Sequence, residues 1–161
     1  MNDDVYGIKK WGNDILEILE NGNIGLKNPF HPDNSPADLI KIIKSLNERG
    51  ISCPVLLRVT DYLAFRIKQI NNSFFRAIRE IRYKGEYKGV FPVKVNQQAQ
   101  VIDRIVEFGK EFDFGLEVGS KPELLIALAH DLSANSTIIC NGIKDREFIH
   151  LAILSIKIGF K

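Results

Sequence analysis

The chain has 161 residues, of which 45% are hydrophobic and 26% are charged, and its formal net charge is +2. This length is typical of one domain, and the apolar share is large enough to fill a hydrophobic core. The small net charge points to no nucleic-acid partner, the two cysteines have neither metal-site spacing nor a disulfide framework, and no apolar run approaches the roughly 20 residues that span a bilayer. We therefore expect a cytoplasmic protein without a nucleic-acid or membrane partner.

Residues 1–34 are interpreted as an amino-terminal extension with short strands. Residues 14–27, DILEILENGNIGLK, predict two strands joined by a turn at residues 21–23. A loop follows, and Ser35 with Pro36 and Asp38 then has the pattern of a helix start: a cap, a proline in the first turn and an acid near the positive end. Gly50 is expected to end that helix.

From there to the end of the chain, apolar strands alternate with amphipathic helices. The predicted strands are 54–59, 88–96, 114–119 and 137–142, and the predicted helices are 61–83, 101–109, 120–130 and 148–156. The strands are short, apolar on both faces and rich in β-branched residues, which predicts a parallel sheet covered by helices, and hence the α/β class. Four such units are half of a (β/α)8 barrel of the TIM type, and a small open sheet fits the same pattern.

Polar side chains follow the predicted strands at their carboxyl ends. Lys94 and Asn96 end one strand, Glu117 and Ser120 lie at the end of the next, and Asn141 ends the last. In both architectures the carboxyl ends of the strands meet at one rim. Strand alternation allows Lys94 to point inward there, beside Glu117 on the neighbouring strand. Taken alone, this local pattern favours a lysine whose ammonium group reaches water over a reactive amine.

Four separated segments resemble, in the right order, the amino-terminal part of biosynthetic arginine decarboxylases. They are VYGIKKWGND, GVFPVKVNQQAQVID, FGLEVGSKPELLIALAH and IICNGIKDREFIHLAIL. That family carries the motifs Y-P-I-K-V-N-Q, L-E-A-G-S-K-x-E-L and C-N-G-x-K-D-R-E-[YF]-I. The resemblance runs from about residue 5 to the end of the chain, and the departures from the motifs, such as Phe91 for tyrosine and Val118 for alanine, are conservative.

The resemblance implies a pyridoxal 5'-phosphate enzyme of the alanine racemase-like barrel class, which decarboxylates L-arginine to agmatine in polyamine and spermidine biosynthesis. It implies that Lys94 forms the Schiff base with the cofactor and that Glu117 is the acid beside that lysine, so these two are the candidate catalytic residues. Ser120 and Asn141 join them as candidate cofactor-binding residues. Family members also use magnesium, but the sequence offers no ligand set for it.

The resemblance further implies a much longer, homo-oligomeric protein with a second half-barrel and a carboxyl-terminal β domain. We therefore expect residues 35–161 to be the first half of a truncated barrel. We expect it to be inactive without the missing carboxyl-terminal portion or a second subunit. Two alternatives stay open: a non-catalytic remnant or interaction module, and a decarboxylase for another basic amino acid.

Overall fold

The computed structural model describes residues 5–161, which form two compact units, residues 5–65 and residues 66–161. The first contains α1 (Ile8–Trp11), β1 (Leu16–Ile18), β2 (Ile24–Leu26), β3 (Ala37–Asp38) and α2 (Leu39–Glu48), and α3 (Thr60–Glu80) begins in it. The second contains β4 (Val90–Pro92), α4 (Ala99–Gly109), β5 (Gly115–Val118), α5 (Lys121–Leu128), β6 (Ile138–Cys140) and α6 (Arg146–Lys157). Within residues 5–161, no helix is both long and apolar enough to cross a membrane.

The amino-terminal unit is built on a three-stranded antiparallel sheet in the order β1-β2-β3. β1 and β2 form the predicted hairpin, with Leu16 opposite Leu26 and Ile18 opposite Ile24. The turn between them is held by the side chain of Asn21, whose Oδ1 accepts a hydrogen bond from the Asn23 amide at 3.0 Å. This hairpin confirms the prediction from the alternating residues.

The helix predicted to start at Ser35 begins four residues later, and this part of the prediction is wrong. Ala37 pairs with Leu26 in the sheet, so the chain is still extended there. Asp38 is the cap of α2, because its Oδ1 accepts hydrogen bonds from the amides of Ile40 and Lys41 at 2.9 and 3.2 Å. Pairing with β2 therefore overrides the local start signal, and Gly50 follows the helix end with a φ of 79°, as expected.

The strand predicted at residues 54–59 is also absent from the structure. No strand is assigned to these residues, and Leu56, Leu57 and Val59 are all exposed. A run of β-branched and apolar residues becomes a strand only where a neighbouring strand completes its hydrogen-bond ladder. Residues 54–59 therefore have the composition of a strand but pair with neither of the two sheets.

The carboxyl-terminal unit contains a parallel sheet in the order β4-β5-β6. Phe91 pairs with Leu116, and Leu116 pairs with Ile138. The α/β class and the parallel strand direction are therefore confirmed, whereas the sheet has three strands among the described residues instead of the four predicted. Its placement as half of a barrel stays a prediction.

The core of this unit lies on one face of the parallel sheet. Leu116 and Val118 of β5 are completely buried there, and the helices contribute Ile102, Leu124 and Phe148. Because side chains alternate along a strand, Glu117 between the two buried residues points to the opposite face. Burial of its neighbours thus fixes the direction of the one charged side chain in β5.

Lys94 does not lie on a strand, which corrects the prediction for residues 88–96. β4 ends at Pro92, and Val93–Val95 form one turn of 3-10 helix. Pro92 has no amide hydrogen to donate, and it stands at the end of an edge strand, where proline is tolerated. Val93 is fully buried in the turn, which leaves Lys94 at the rim and removes it from the strand alternation.

Candidate active site

Three polar side chains converge at the carboxyl ends of the parallel strands. Lys94 Nζ lies 3.2 Å from Glu117 Oε1, and Asn141 Nδ2 donates to the same oxygen at 3.3 Å. These side chains come from the turn after β4, from β5 and from the residue after β6. The structure therefore brings together three of the four predicted site residues.

Asn141 is held by its backbone as well as by its side chain. Its amide donates to the carbonyl of Val118 at 2.7 Å, which extends the β5–β6 pairing by one residue. Its Oδ1 accepts from the Gly142 amide at 3.2 Å, so the side-chain amide nitrogen is left facing Glu117. The carboxylate thus receives one donor from each neighbouring strand end.

The charge of Glu117 is stabilised by these donors. Hydrogen bonds from Lys94, and then from Asn141, hold the pKa of the Glu117 carboxyl below its ordinary value of 4.5, against partial burial, which acts to raise it. A carboxyl with a lowered pKa stays ionised as the pH falls through the ordinary value, so the ion pair with Lys94 persists into mildly acidic solution. At neutral pH, Glu117 is a hydrogen-bond acceptor and a weak base.

The Lys94 side chain is 61% exposed, whereas that of Glu117 is 17% exposed. The ammonium group therefore reaches water, as the local sequence pattern favours, and it also has a specific carboxylate partner. Apolar surroundings would favour the neutral, reactive form of an amine, whereas the structure leaves Nζ accessible to a ligand from solution.

Ser120 lies outside this cluster and has a structural contact of its own. It caps α5: its Oγ accepts from the Glu123 amide at 3.4 Å and donates to Glu123 Oε1 at 2.9 Å. Glu123 also accepts from the Gly119 amide at 2.8 Å. The predicted helix start at Ser120 is confirmed, and a role of Ser120 in cofactor binding stays a prediction.

A second charged cluster, formed by Lys121, Asp145 and Glu147, was missed in the sequence. Lys121 Nζ lies 2.9 Å from Asp145 Oδ2 and 2.7 Å from Glu147 Oε2. It joins the first turn of α5 to the first turn of α6. The signal was present, because these residues belong to the S-K-P-E and K-D-R-E segments, but contact between helix starts cannot be deduced from spacing alone.

The chain matches the family model described as "Pyridoxal-dependent decarboxylase, pyridoxal binding domain" over residues 67–158. This range contains Lys94, Glu117 and Asn141, and it is more than half of the chain. The chain therefore belongs to the pyridoxal-dependent decarboxylase family.

Relatives of the chain within that family include biosynthetic arginine decarboxylases. The one from Prochlorococcus marinus (strain MIT 9312) is 47% identical over 154 residues, which is 96% of this chain and 24% of the relative. That from Gloeobacter violaceus is 46% identical over 97% of this chain. The crystal structure of the Campylobacter jejuni enzyme matches with a TM-score of 0.85 and 35% identity over 97% of this chain and 25% of that one. The resemblance expected from the motifs is confirmed, and the chain spans about a quarter of the length of these relatives.

The donor set of the cluster fits a pyridoxal group. An accessible primary amine can bond an aldehyde carbon, and the adjacent Glu117 carboxylate, which is itself held by Asn141, positions that amine. Among the described residues, no group of three or more His, Cys, Asp or Glu side chains could hold a metal ion. Magnesium use stays a prediction from the family resemblance.

Proposed function

We propose that the chain forms the cofactor-bonding part of an arginine decarboxylase and that Lys94 bonds pyridoxal 5'-phosphate. The observation that carries this proposal is the convergence of Lys94, Glu117 and Asn141 at the carboxyl ends of adjacent parallel strands. This is the edge of a parallel sheet at which α/β proteins bind their ligands. A bound pyridoxal group supplies an electron sink for the electrons released when a carboxylate leaves as carbon dioxide.

The residues of the cluster have separate tasks in this proposal. Lys94 supplies the amine, and its Nζ is open to a ligand from solution. Glu117 orients Nζ through Oε1, and because its lowered pKa makes it a weak base, we assign it an orienting role alone. Asn141 fixes the carboxylate from the other side.

The substrate proposal rests on the relatives, whose names specify arginine. Decarboxylation of L-arginine would give agmatine. Action on another basic amino acid is the alternative, and comparison of arginine with ornithine and lysine in an assay that detects the released amine separates the two. A product formed faster from ornithine or lysine would contradict the arginine assignment.

Covalent trapping tests the role of Lys94 directly. The chain is mixed with pyridoxal phosphate, reduced with borohydride, digested and examined by mass spectrometry. We expect most of the pyridoxyl label on Lys94, because its partner Glu117 is itself fixed by Asn141 and is only 17% exposed, whereas Asp131, the partner of Lys110, is 92% exposed. Lys110 is a matched internal control, since it is also exposed and also paired with a carboxylate, that of Asp131 at 2.6 Å.

Two variants sharpen this experiment. Lys94→Arg keeps a cation beside Glu117 but cannot bond the aldehyde, so the label on that peptide should disappear. Lys110→Arg should leave the label on Lys94 unchanged. Equal labelling of Lys94 and Lys110 in the unmodified chain would overturn the assignment of Lys94.

We further propose that turnover requires polypeptide equivalent to the part of the relatives that this chain does not match, supplied in the same chain or as a second subunit. Two features support this proposal. The chain corresponds to 24% of the relatives' length, and β6 is an edge strand of the sheet in the described residues. An edge strand can pair with further polypeptide, and the Ile138 amide on the outer side of β6 already donates to the carbonyl of Lys161 at 2.8 Å.

A further inference from the structure

We propose that Lys121 is a positioning residue, which holds Asn141 against Glu117 by clamping the start of α6 to the start of α5. The clamp consists of Lys121, Asp145 and Glu147, with contacts of 2.9 and 2.7 Å from Nζ to the two carboxylates. None of these three residues touches Lys94 or Glu117 in the contacts described above. Their effect on the site is transmitted through the loop that carries Asn141.

Asp145 connects the clamp to the core of the unit. Its Oδ2 faces Lys121, while its Oδ1 caps α6 by accepting a hydrogen bond from the Phe148 amide at 2.8 Å. Phe148 is only 2% exposed. The carboxylate is therefore fixed on one side by a buried residue and on the other by Lys121, so the far end of the loop after β6 has a defined position.

The near end of that loop is fixed by backbone contacts. The amide of Asn141 bonds the carbonyl of Val118 at 2.7 Å. Gly142, with a φ of 72°, lies so close to Gly119 that an added Cβ would stand 2.3 Å from the Gly119 carbonyl oxygen. Only residues 141–144 separate β6 from Asp145. A loop this short, held at both ends, leaves the Asn141 side chain little freedom to leave Glu117.

The position of Lys121 is unfavourable for a lysine on local grounds alone. It is the first residue of α5, and its ammonium also lies at the amino-terminal end of α6. Both helix ends carry partial positive charge, which disfavours a cation. The two carboxylates offset this cost, and hydrogen bonds to Glu147 and Asp145 raise the pKa of Lys121, so the clamp stays charged at neutral pH.

The functional meaning of this clamp rests on the proposed role of the Lys94 cluster, but the clamp itself can be tested without the cofactor. The probe is the pKa of Glu117, measured by NMR titration of carboxyl carbons in the 161-residue chain. Asn141 is one of the donors that lower this pKa. If the clamp is broken and Asn141 moves away, the pKa of Glu117 should rise toward 4.5.

Two substitutions separate positioning from simple electrostatics. Lys121→Gln removes a positive charge, and Asp145→Asn removes a negative charge while an asparagine still caps α6. A direct charge effect would move the pKa of Glu117 in opposite directions in these two variants. The clamp predicts that both variants raise it, and that Lys121→Arg, which keeps the cation, restores the original value.

Glu147→Gln is a third variant for the case that the Asp145 variant does not fold, since the Glu147 side chain is 80% exposed. It too should raise the pKa of Glu117. Opposite shifts in the Lys121 and Asp145 variants, or an unchanged Glu117 titration in the Lys121 and Glu147 variants, would overturn the clamp. Failure of borohydride trapping at Lys94 would instead overturn the proposed function and leave the clamp intact.

Discussion

At the scale of single residues, carboxylates of this chain are kept ionised by the hydrogen bonds they accept. Glu117 accepts hydrogen bonds from the side chains of Lys94 and Asn141. Asp145 accepts them from the Phe148 amide and the Lys121 side chain. In both groups these bonds outweigh partial burial, and the pKa is lowered. The pKa of Asp38 in the amino-terminal unit is lowered to about 2, because its two oxygens together accept four hydrogen bonds, of which the one from Asn23 contributes most.

The Asp38 carboxylate joins two elements of the amino-terminal unit. Oδ2 accepts from the side-chain amides of Asn23 and Asn21 at 2.9 and 3.1 Å, and Oδ1 caps α2. The hydrogen bond from Asn23 contributes most to lowering the pKa of Asp38 from 3.8 to about 2. A carboxyl group with a lowered pKa stabilises the fold above its ordinary pKa, and this contribution is lost as the pH falls through the lowered value.

We therefore expect Asp38→Asn to lower the urea midpoint of the amino-terminal unit near pH 6. The difference from the unmodified chain should shrink between pH 3.8 and about 2, because Asp38 then becomes protonated and neutral like asparagine. Asp33→Asn, at an exposed position of the same unit, is the control and should change the midpoint little at any pH. A gap that stays constant across this pH range would contradict the prediction.

At the scale of elements, the loop between β6 and α6 has a strict backbone requirement at Gly142. Gly142 needs both a positive φ and the absence of a side chain, because of the nearby Gly119 carbonyl. Gly159, in the same unit, also has a positive φ, of 105°, but no atom lies within 4 Å of its Cβ position. Substituting alanine at Gly159 would therefore introduce backbone strain alone, whereas alanine at Gly142 would introduce both strain and a steric clash.

We expect Gly159→Ala to lower the free energy of unfolding by about 1–3 kcal/mol, through backbone strain alone. Gly142→Ala should lower it by a further 1–3 kcal/mol or so, because the backbone must also shift to admit the methyl group. Denaturant unfolding of both variants measures the difference. Equal effects at the two positions would show that the close approach of Gly142 to Gly119 is not maintained in solution.

The sequence predicted the elements best where their signals are local. The hairpin before residue 27, the cap at Ser120 and the alternation of strands and helices from residue 88 onward all depend on residues within a few positions of each other, and the structure confirms them. The predictions that failed needed distant information. Whether residues 54–59 pair, and where α2 begins, depends on which strand lies alongside.

At the scale of the whole molecule, the described residues leave much apolar surface uncovered in the carboxyl-terminal unit. Ile143, Ile156 and Ile158 are 86%, 66% and 73% exposed, and β6 is an edge strand. Exposed apolar side chains and an edge strand each favour association with further polypeptide. This surface supports the proposal that additional protein is needed for turnover.

We therefore expect the purified 161-residue chain to form no measurable agmatine from arginine with added pyridoxal phosphate, even if Lys94 is labelled by trapping. Co-expression with the unmatched portion of a curated relative should restore agmatine formation, and the same pair carrying Lys94→Arg should remain inactive. Product formation is measured by chromatography. Turnover by the chain alone at the rate of the co-expressed pair would contradict this prediction.

By itself, the sequence determined the α/β class, the order of strands and helices from residue 88 onward and, through the order of its motifs, the family, and it predicted Lys94 as the residue that bonds the cofactor. The tertiary structure decided that Ala37 pairs with Leu26 before α2 begins, that Lys94 meets Glu117, and that Lys121 reaches across to α6. The physical reason is distance along the chain. Caps and turns depend on neighbours a few residues away, whereas Lys94 meets Glu117 across 23 positions and Lys121 meets Glu147 across 26. Such contacts exist only once the strands have paired and the helices have packed.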